Sequence, residues 1–187
     1  MPAFTCRRDL APVYQESPGR QQGIKTFMFR YYPSKMDLTI AISADVWGKF
    51  TMQNYEHTEQ ENLTAAQRYE FWLESMLDLY WNHKDLLRYN QFFNVYVANE
   101  QVSEEQMKPF NDVIRTLAER FHKAYELGKQ DGTLRTDIPE EMIFSTTLHL
   151  MLAATTRYAV GLVYESKEPE KELAELKDML MQRYTCA

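Results

Sequence analysis

Met142-Ile-Phe-Ser-Thr-Thr-Leu-His-Leu-Met-Leu-Ala-Ala-Thr-Thr156 is the longest stretch of the chain without a charged side chain. On a helix, its apolar residues Ile143, Phe144, Leu148, Leu150, Met151, Leu152, Ala153 and Ala154 fall on every face, so the helix must be covered on all sides. At 15 residues, with His149 and four threonines inside it, it is shorter than the roughly 20 apolar residues a membrane span needs. It reads as a buried helix, either the centre of a bundle or one with a face against a second subunit. The narrow seam Leu173, Leu176, Leu180 and Tyr184 on the final helix favours the second arrangement, and a homodimer through 142–164 and 173–184 is expected.

Outward from this stretch the period stays helical and no segment alternates with period two, which predicts an all-α fold of five or six helices. Ser34 and Asp37 have capping-box spacing before Leu38, Ala41, Ile42, Val46, Trp47 and Phe50, placing a helix over about 35–55. Thr64 with Gln67 repeats the spacing ahead of Phe71, Trp72, Met76, Leu79 and Tyr80, for a helix ending near Asn82. Asp85 can cap a third segment carrying Leu86, Leu87, Phe92, Phe93, Tyr96 and Val97. Ser103 with Gln106 opens a long helix with the stripe Phe110, Ile114, Leu117, Phe121 and Tyr125, ended by Gly128 and Gly132. Pro139 starts the apolar helix, which should run to about Tyr164, and Pro169 starts the last.

The chain has 187 residues, 44% hydrophobic and 26% charged, with only six Gly and seven Pro. That excludes collagen-like and disordered classes. Cys6 and Cys186 have no metal-ligand spacing, and residues 1–20 have no apolar signal region, so a reduced, cytoplasmic protein without a membrane anchor is expected. The charge is uneven. Residues 1–35 hold Arg7, Arg8, Arg20, Lys25, Arg30 and Lys35 against Asp9 and Glu16, a net of +4, which leaves −10 on the rest of a chain whose total is −6. A basic head on an acidic body suits a phosphate-rich partner. His57, His83, His122 and His149 form no metal-binding or catalytic pattern by spacing, so neither an enzyme nor a metal or other cofactor is expected.

The stretch Gly23-Ile-Lys-Thr-Phe-Met-Phe-Arg-Tyr-Tyr-Pro-Ser-Lys-Met-Asp-Leu38 resembles the end of the helix-turn-helix in TetR-type (TetR/AcrR) transcriptional regulators. There an aromatic-rich recognition helix runs into a signature matched here by Tyr32-Pro-Ser-Lys-Met-Asp-Leu38. Gly128-Lys-Gln-Asp-Gly-Thr-Leu-Arg-Thr-Asp137 resembles the link these regulators place before their penultimate helix. The resemblance implies a homodimeric, ligand-responsive repressor, with operator DNA met by Lys25, Thr26, Arg30, Tyr31, Tyr32 and Lys35. A lysine at a helix N-terminus is a sound phosphate site. It further implies a cavity for a small apolar or aromatic effector, walled by Phe71, Trp72, Tyr80, Phe92, Phe93, Tyr96, Phe110, Phe121, Tyr125 and His149.

The sequence departs from the pattern upstream, where two helices should precede the recognition helix. Residues 1–22 contain Pro12, Pro18 and Gly19 with few clustered apolar side chains, and do not read as two helices. The expected organisation is therefore a partial or altered helix-turn-helix over 1–34, truncated or frame-altered, and a ligand-binding and dimerisation domain over 35–187. The alternative function is a helical ligand-binding and dimerisation protein without DNA binding.

Overall fold

The computed structural model describes residues 30–55, 62–161 and 166–186. Among these the chain forms six helices: α1 (Lys35–Tyr55), α2 (Ala65–Asn82), α3 (Lys84–Asn99), α4 (Glu104–Asp131), α5 (Glu140–Val160) and α6 (Pro169–Tyr184). The only strand-like feature among the described residues is an isolated antiparallel bridge between Leu134 and Thr185. The all-α expectation is met. The chain divides into two units, Met1–Leu38 and Thr39–Ala187, with the division inside α1. Residues 1–29, including Lys25 and Thr26, lie outside the described residues.

Local chemistry sets most helix ends. The Ser34 amide donates to Asp37 Oδ2 at 2.9 Å and the Asp37 amide to Ser34 Oγ at 3.1 Å. Reciprocal capping boxes join Thr64 to Gln67 and Ser103 to Gln106. Gly132, at φ 70°, closes α4 with its N–H on the Gly128 carbonyl, the left-handed stop that glycine permits. Three ends differ from expectation. His83, not Asp85, occupies the cap of α3, so α2 and α3 are separated by a single residue. Helix α5 stops at Val160, because Gly161 turns to φ 106°. Gly128 lies buried inside α4, where a Cβ would come within 2.8 Å of Leu134 Cβ. It permits a close approach and does not terminate the helix.

Helices α2 and α5 form the centre, each packing against four other helices. Tyr69, Leu73 and Leu79 of α2 and Ile143, Thr147 and Met151 of α5 are fully or almost fully buried. The Tyr69 hydroxyl lies 2.8 Å from Thr147 Oγ1, so the one polar pair at this junction is satisfied. Burial pushes the Tyr69 phenol well above its ordinary range, despite the hydrogen bond with Thr147. Yet α5 is not covered all round. Met142 (55% exposed), Leu150 (45%) and Val160 (52%) lie outside the core, with His149, Ala153 and Arg157 on the same stripe.

The seam expected to face a second subunit faces inward. Leu173, Leu180 and Tyr184 are buried in the chain's own core, and Leu176 packs against it. The cause is visible at Lys177, whose ammonium reaches across to Glu70 at 3.0 Å and to Glu74, fixing this face of α6 on α2. Burial alone would lower the Lys177 pKa, but these two carboxylates raise it.

The segment after α4 ties the unit together. Asp131 Oδ2 accepts the Ala65 amide at 2.7 Å, and Thr133 Oγ1 accepts the Ala66 amide at 3.0 Å. The Arg135 amide donates to the Tyr184 carbonyl and the Cys186 amide to the Thr133 carbonyl. The Tyr125 hydroxyl lies 3.0 and 2.9 Å from the Thr136 and Ile138 carbonyls. Burial raises the Asp131 pKa, but the hydrogen bonds from Thr133 and Ala65 outweigh it and hold the carboxyl below its ordinary value. The stability it contributes is therefore present above the ordinary aspartate range and is lost as pH falls through the lowered value. Asp131→Ala should cost about 1–2 kcal/mol in urea unfolding at neutral pH. The gap between variant and parent should close on acidification; one that persists undiminished in acid would show that the carboxylate is not the cause.

Candidate functional site

An apolar cavity of about 100 Å³ opens among α1, α2, α4 and α5, with Asn90 contributed by α3. Helix α2 presents Phe71, Trp72, Ser75 and Met76 to it, one face of a 3.6-residue period. Helix α4 presents Phe110, Ile114, Leu117 and Phe121 at three- and four-residue intervals, α5 presents Leu148 and Leu152, and α1 adds Trp47, Phe50 and Thr51. The deep wall is stiff. Trp72 stacks on Phe144 with ring centres 5.4 Å apart and planes 5° from parallel, and Phe121 lies 5.2 Å from Trp72 and 5.8 Å from Phe144. Such arrays add packing energy beyond their buried area and leave few rotamers to reorganise.

No acidic side chain lines the cavity. Its polar side chains fall into two groups. Thr51 Oγ1 donates to the Gly48 carbonyl, Ser75 Oγ to the Trp72 carbonyl, Arg68 Nε to the Leu63 carbonyl and Arg120 Nη1 to the Thr51 carbonyl. Those four are engaged with backbone. The other two are not: among the described residues the buried Trp47 Nε1 has no hydrogen-bond partner, and the Asn90 amide, on a residue only 7% exposed, makes no hydrogen bond. Unpaired buried polar atoms are rare in folded proteins; among the described residues Trp47 Nε1 is the one such side-chain atom, and the unbonded Asn90 amide lies on the same cavity wall.

Of the ten aromatic and histidine positions expected at an effector site, Phe71, Trp72, Phe110 and Phe121 line this cavity. The other six do not. Tyr80 is buried edge-on to Tyr158 with the Lys84 ammonium over its ring. Phe93 fills the space between Tyr89 and Phe110. Tyr125 spends its hydroxyl on the two carbonyls before α5. Phe92 is 66% exposed and stacks on Tyr96 along the outer face of α3. His149 is exposed and lines a separate cleft of about 400 Å³ between α3 and α5, which shares Asn90 and Leu152 with the apolar cavity. Trp47, Phe50, Ile114 and Leu117 belong to stripes read in the sequence as core. Asn90 gave no sequence signal.

Of the positions expected at DNA, Arg30, Tyr31 and Lys35 are exposed and Tyr32 is half-buried. Lys35 is the first residue of α1. Among the described residues one group of three ligating side chains converges: His122, Glu126 and Glu140, with ligand atoms within 4.8 Å of one another. It is a surface group, and its members have partners. His122 Nδ1 lies 2.9 Å from Glu140 Oε2, a hydrogen bond that raises the imidazole pKa, while Glu126 pairs with Lys129. No helix among the described residues is long and apolar enough to cross a membrane.

By sequence, no family model and no curated protein matches this chain. By structure, its all-helical fold is similar to those of two solved proteins. It is similar to a bacterial regulatory protein in the tetR family from Rhodococcus RHA1, with TM-score 0.64 and 15% identity over 91% of this chain and 87% of that one. It is also similar to the ketosteroid transcriptional regulator KstR2 of Mycobacterium tuberculosis, with TM-score 0.62 and 8% identity over 89% of this chain and 82% of that one. The fold is TetR-like.

The cavity wall and the surface aromatics should respond differently to truncation. Phe121→Ala removes a buried ring in contact with Tyr69, Trp72, Tyr125 and Phe144 and should cost about 3–5 kcal/mol in chemical unfolding. Phe92→Ala should stay within about 0.5 kcal/mol of the parent. A comparable loss at both positions would contradict the placement of the site.

Proposed function

We propose that the protein is a ligand-responsive transcriptional regulator, a repressor that binds operator DNA as a homodimer and releases it when a small apolar effector occupies the cavity. The observation that carries this reading is that one helix serves both ends. Helix α1 holds Lys35 in its first turn and lines the cavity with Trp47, Phe50 and Thr51. A ligand that binds more tightly to one position of α1 than to another shifts the population of that helix. The shift can be no larger than the difference in ligand affinity between the two states. The TetR-like fold supports the reading at the level of architecture.

In this proposal Arg30, Tyr31 and Lys35 contact phosphate, with Lys25, Thr26 and Tyr32 completing the DNA-facing set. The Lys35 ammonium and the amides of the α1 N-terminus favour an anion at the same place. The second subunit sits on the exposed stripe of α5 formed by Met142, His149, Leu150, Ala153 and Val160. An isologous pair would cover the part of that apolar helix which its own chain leaves bare. The alternative, an effector-binding dimer without DNA binding, is favoured by the composition of residues 1–22.

Two measurements separate these readings. Binding to the DNA beside the gene, followed by fluorescence anisotropy, should weaken steeply with salt, and Lys35→Ala should flatten the log–log slope by roughly one unit. Binding that is absent, or indifferent to salt, would leave the effector-binding dimer. In sedimentation, Leu150→Glu should yield monomers with unchanged helical signal, because the side chain is already exposed. Leu176→Glu should lower stability instead, since Leu176 packs against the core. A Leu150→Glu protein that remains dimeric would place the subunit contact elsewhere.

A further inference from the structure

The cavity wall specifies more than an apolar ligand. Its apolar lining comes from four helices, and its charged side chains, Arg68 and Arg120, hold the Leu63 and Thr51 carbonyls. The hydrogen-bonding capacity left over belongs to Trp47 and Asn90. Both residues line the cavity, next to the place where α1 and α3 are joined. Ser43 Oγ is 2.9 Å from Tyr89 Oη, which also donates to the Thr39 carbonyl at 3.2 Å. Trp47 follows Ser43 by one helical turn, and Asn90 follows Tyr89 directly. An indole offers only a donor, and an amide offers donors as well as an acceptor. Leaving such a donor buried and unpaired costs its full desolvation, which an oxygen acceptor in the cavity recovers.

Resting on the reading of this cavity as an effector site, we infer that its ligand is an uncharged, largely apolar molecule about the size of one aromatic ring that bears a carbonyl or hydroxyl oxygen, held by the Trp47 indole N–H and the Asn90 amide. The size follows from the volume. At about 100 Å³ the cavity is somewhat smaller than one of about 150 Å³ that takes benzene, so a single ring fits with modest adjustment of the half-buried Phe110, Ile114 and Leu117. A cation is disfavoured by the wall, which holds two arginines and no carboxylate, and each guanidinium already donates to a backbone carbonyl, which leaves the neutral polar groups of Trp47 and Asn90 to receive the ligand's oxygen. Asn90 and Leu152 also border the cleft between α3 and α5. The polar end of the ligand therefore lies toward that cleft, and the ring lies against Trp72 and Phe121.

The test uses the full chain and three probes of matched shape: acetophenone, cumene and benzoate. Affinity is read by calorimetry, and contact with Trp47 by the indole N–H resonance in a 15N-labelled sample, assigned with Trp47→Phe. Acetophenone should bind about tenfold more tightly than cumene, the increment of one or two hydrogen bonds in a dry site, and should move the Trp47 indole resonance. Asn90→Leu should remove most of that preference while leaving cumene affinity within about twofold. If Asn90→Leu fails to fold, Asn90→Ala and the parent's own indole resonance carry the same comparison. Equal affinity for cumene and acetophenone would overturn the polar recognition while leaving the cavity as an apolar binding site. Tightest binding of benzoate would overturn it in favour of recognition by the arginines. Binding of none of the three would overturn both the inference and the reading of the cavity on which it rests.

Discussion

A helix begins with four amides that its own carbonyls cannot reach, and in this protein two of those at the start of α2 are met from another part of the chain. The Asp131 carboxylate takes the Ala65 amide and the Thr133 hydroxyl takes the Ala66 amide, while the Thr64 and Gln67 amides are served locally by each other's side chains. The end of α4 is thereby fixed on the start of α2. Because Gly128 has no side chain, Leu134 can fold back against that junction, where it is buried and bridges to Thr185 beyond α6. Tyr125 then holds the two carbonyls that lead into α5. Four helices converge on this turn. Tyr69 lies one turn beyond Ala65, and Phe121 one turn before Tyr125. Their ring contact at 6.3 Å begins the aromatic array behind the cavity.

The cavity follows from how that array is built. The packed rings of Trp72, Phe121 and Phe144 are stiff and cannot collapse to fill a gap as leucine or methionine would. Side chains lining such a gap forgo dispersion contacts on one side. A molecule of suitable shape restores those contacts and stabilises the folded chain through mass action. Affinity for any such molecule and the stability of the bundle therefore draw on the same side chains, among them Phe50, Met76, Phe121 and Leu148, all buried.

Helix starts were legible because their chemistry is local. Thr64 with Gln67, Ser103 with Gln106 and Ser34 with Asp37 each close a hydrogen-bonded ring within four residues. Direction was not legible. The stripe Leu173, Leu180 and Tyr184 has the same spacing whether it faces its own core or a second subunit. What turns it inward is Lys177 meeting Glu70 and Glu74, about a hundred residues away in the chain. The wall of the cavity was visible only in part for a related reason. Phe71 and Tyr80 sit on one helix with similar chemistry, and only packing by α4 and α5 decides that the first lines the space and the second does not. His149, inside an uncharged run, lies exposed because α5 keeps one stripe outside the core. Asn90 carried no pattern at all, since its meaning lies in a hydrogen bond it does not make.

The wall's uneven burial bears on how this protein could change over evolutionary time. Replacing Phe121 or Met76 to enlarge the cavity also removes core packing, and a chain with only about 5–15 kcal/mol of stability tolerates few such losses. Phe110, Ile114 and Leu117 are different: they line the same space along one face of α4 but are only half-buried. Substitutions there alter the shape of the cavity with less effect on the bundle. Variation among descendants of this chain should therefore accumulate along that short run of α4, letting the shape of the cavity drift while the aromatic floor beneath it stays unchanged.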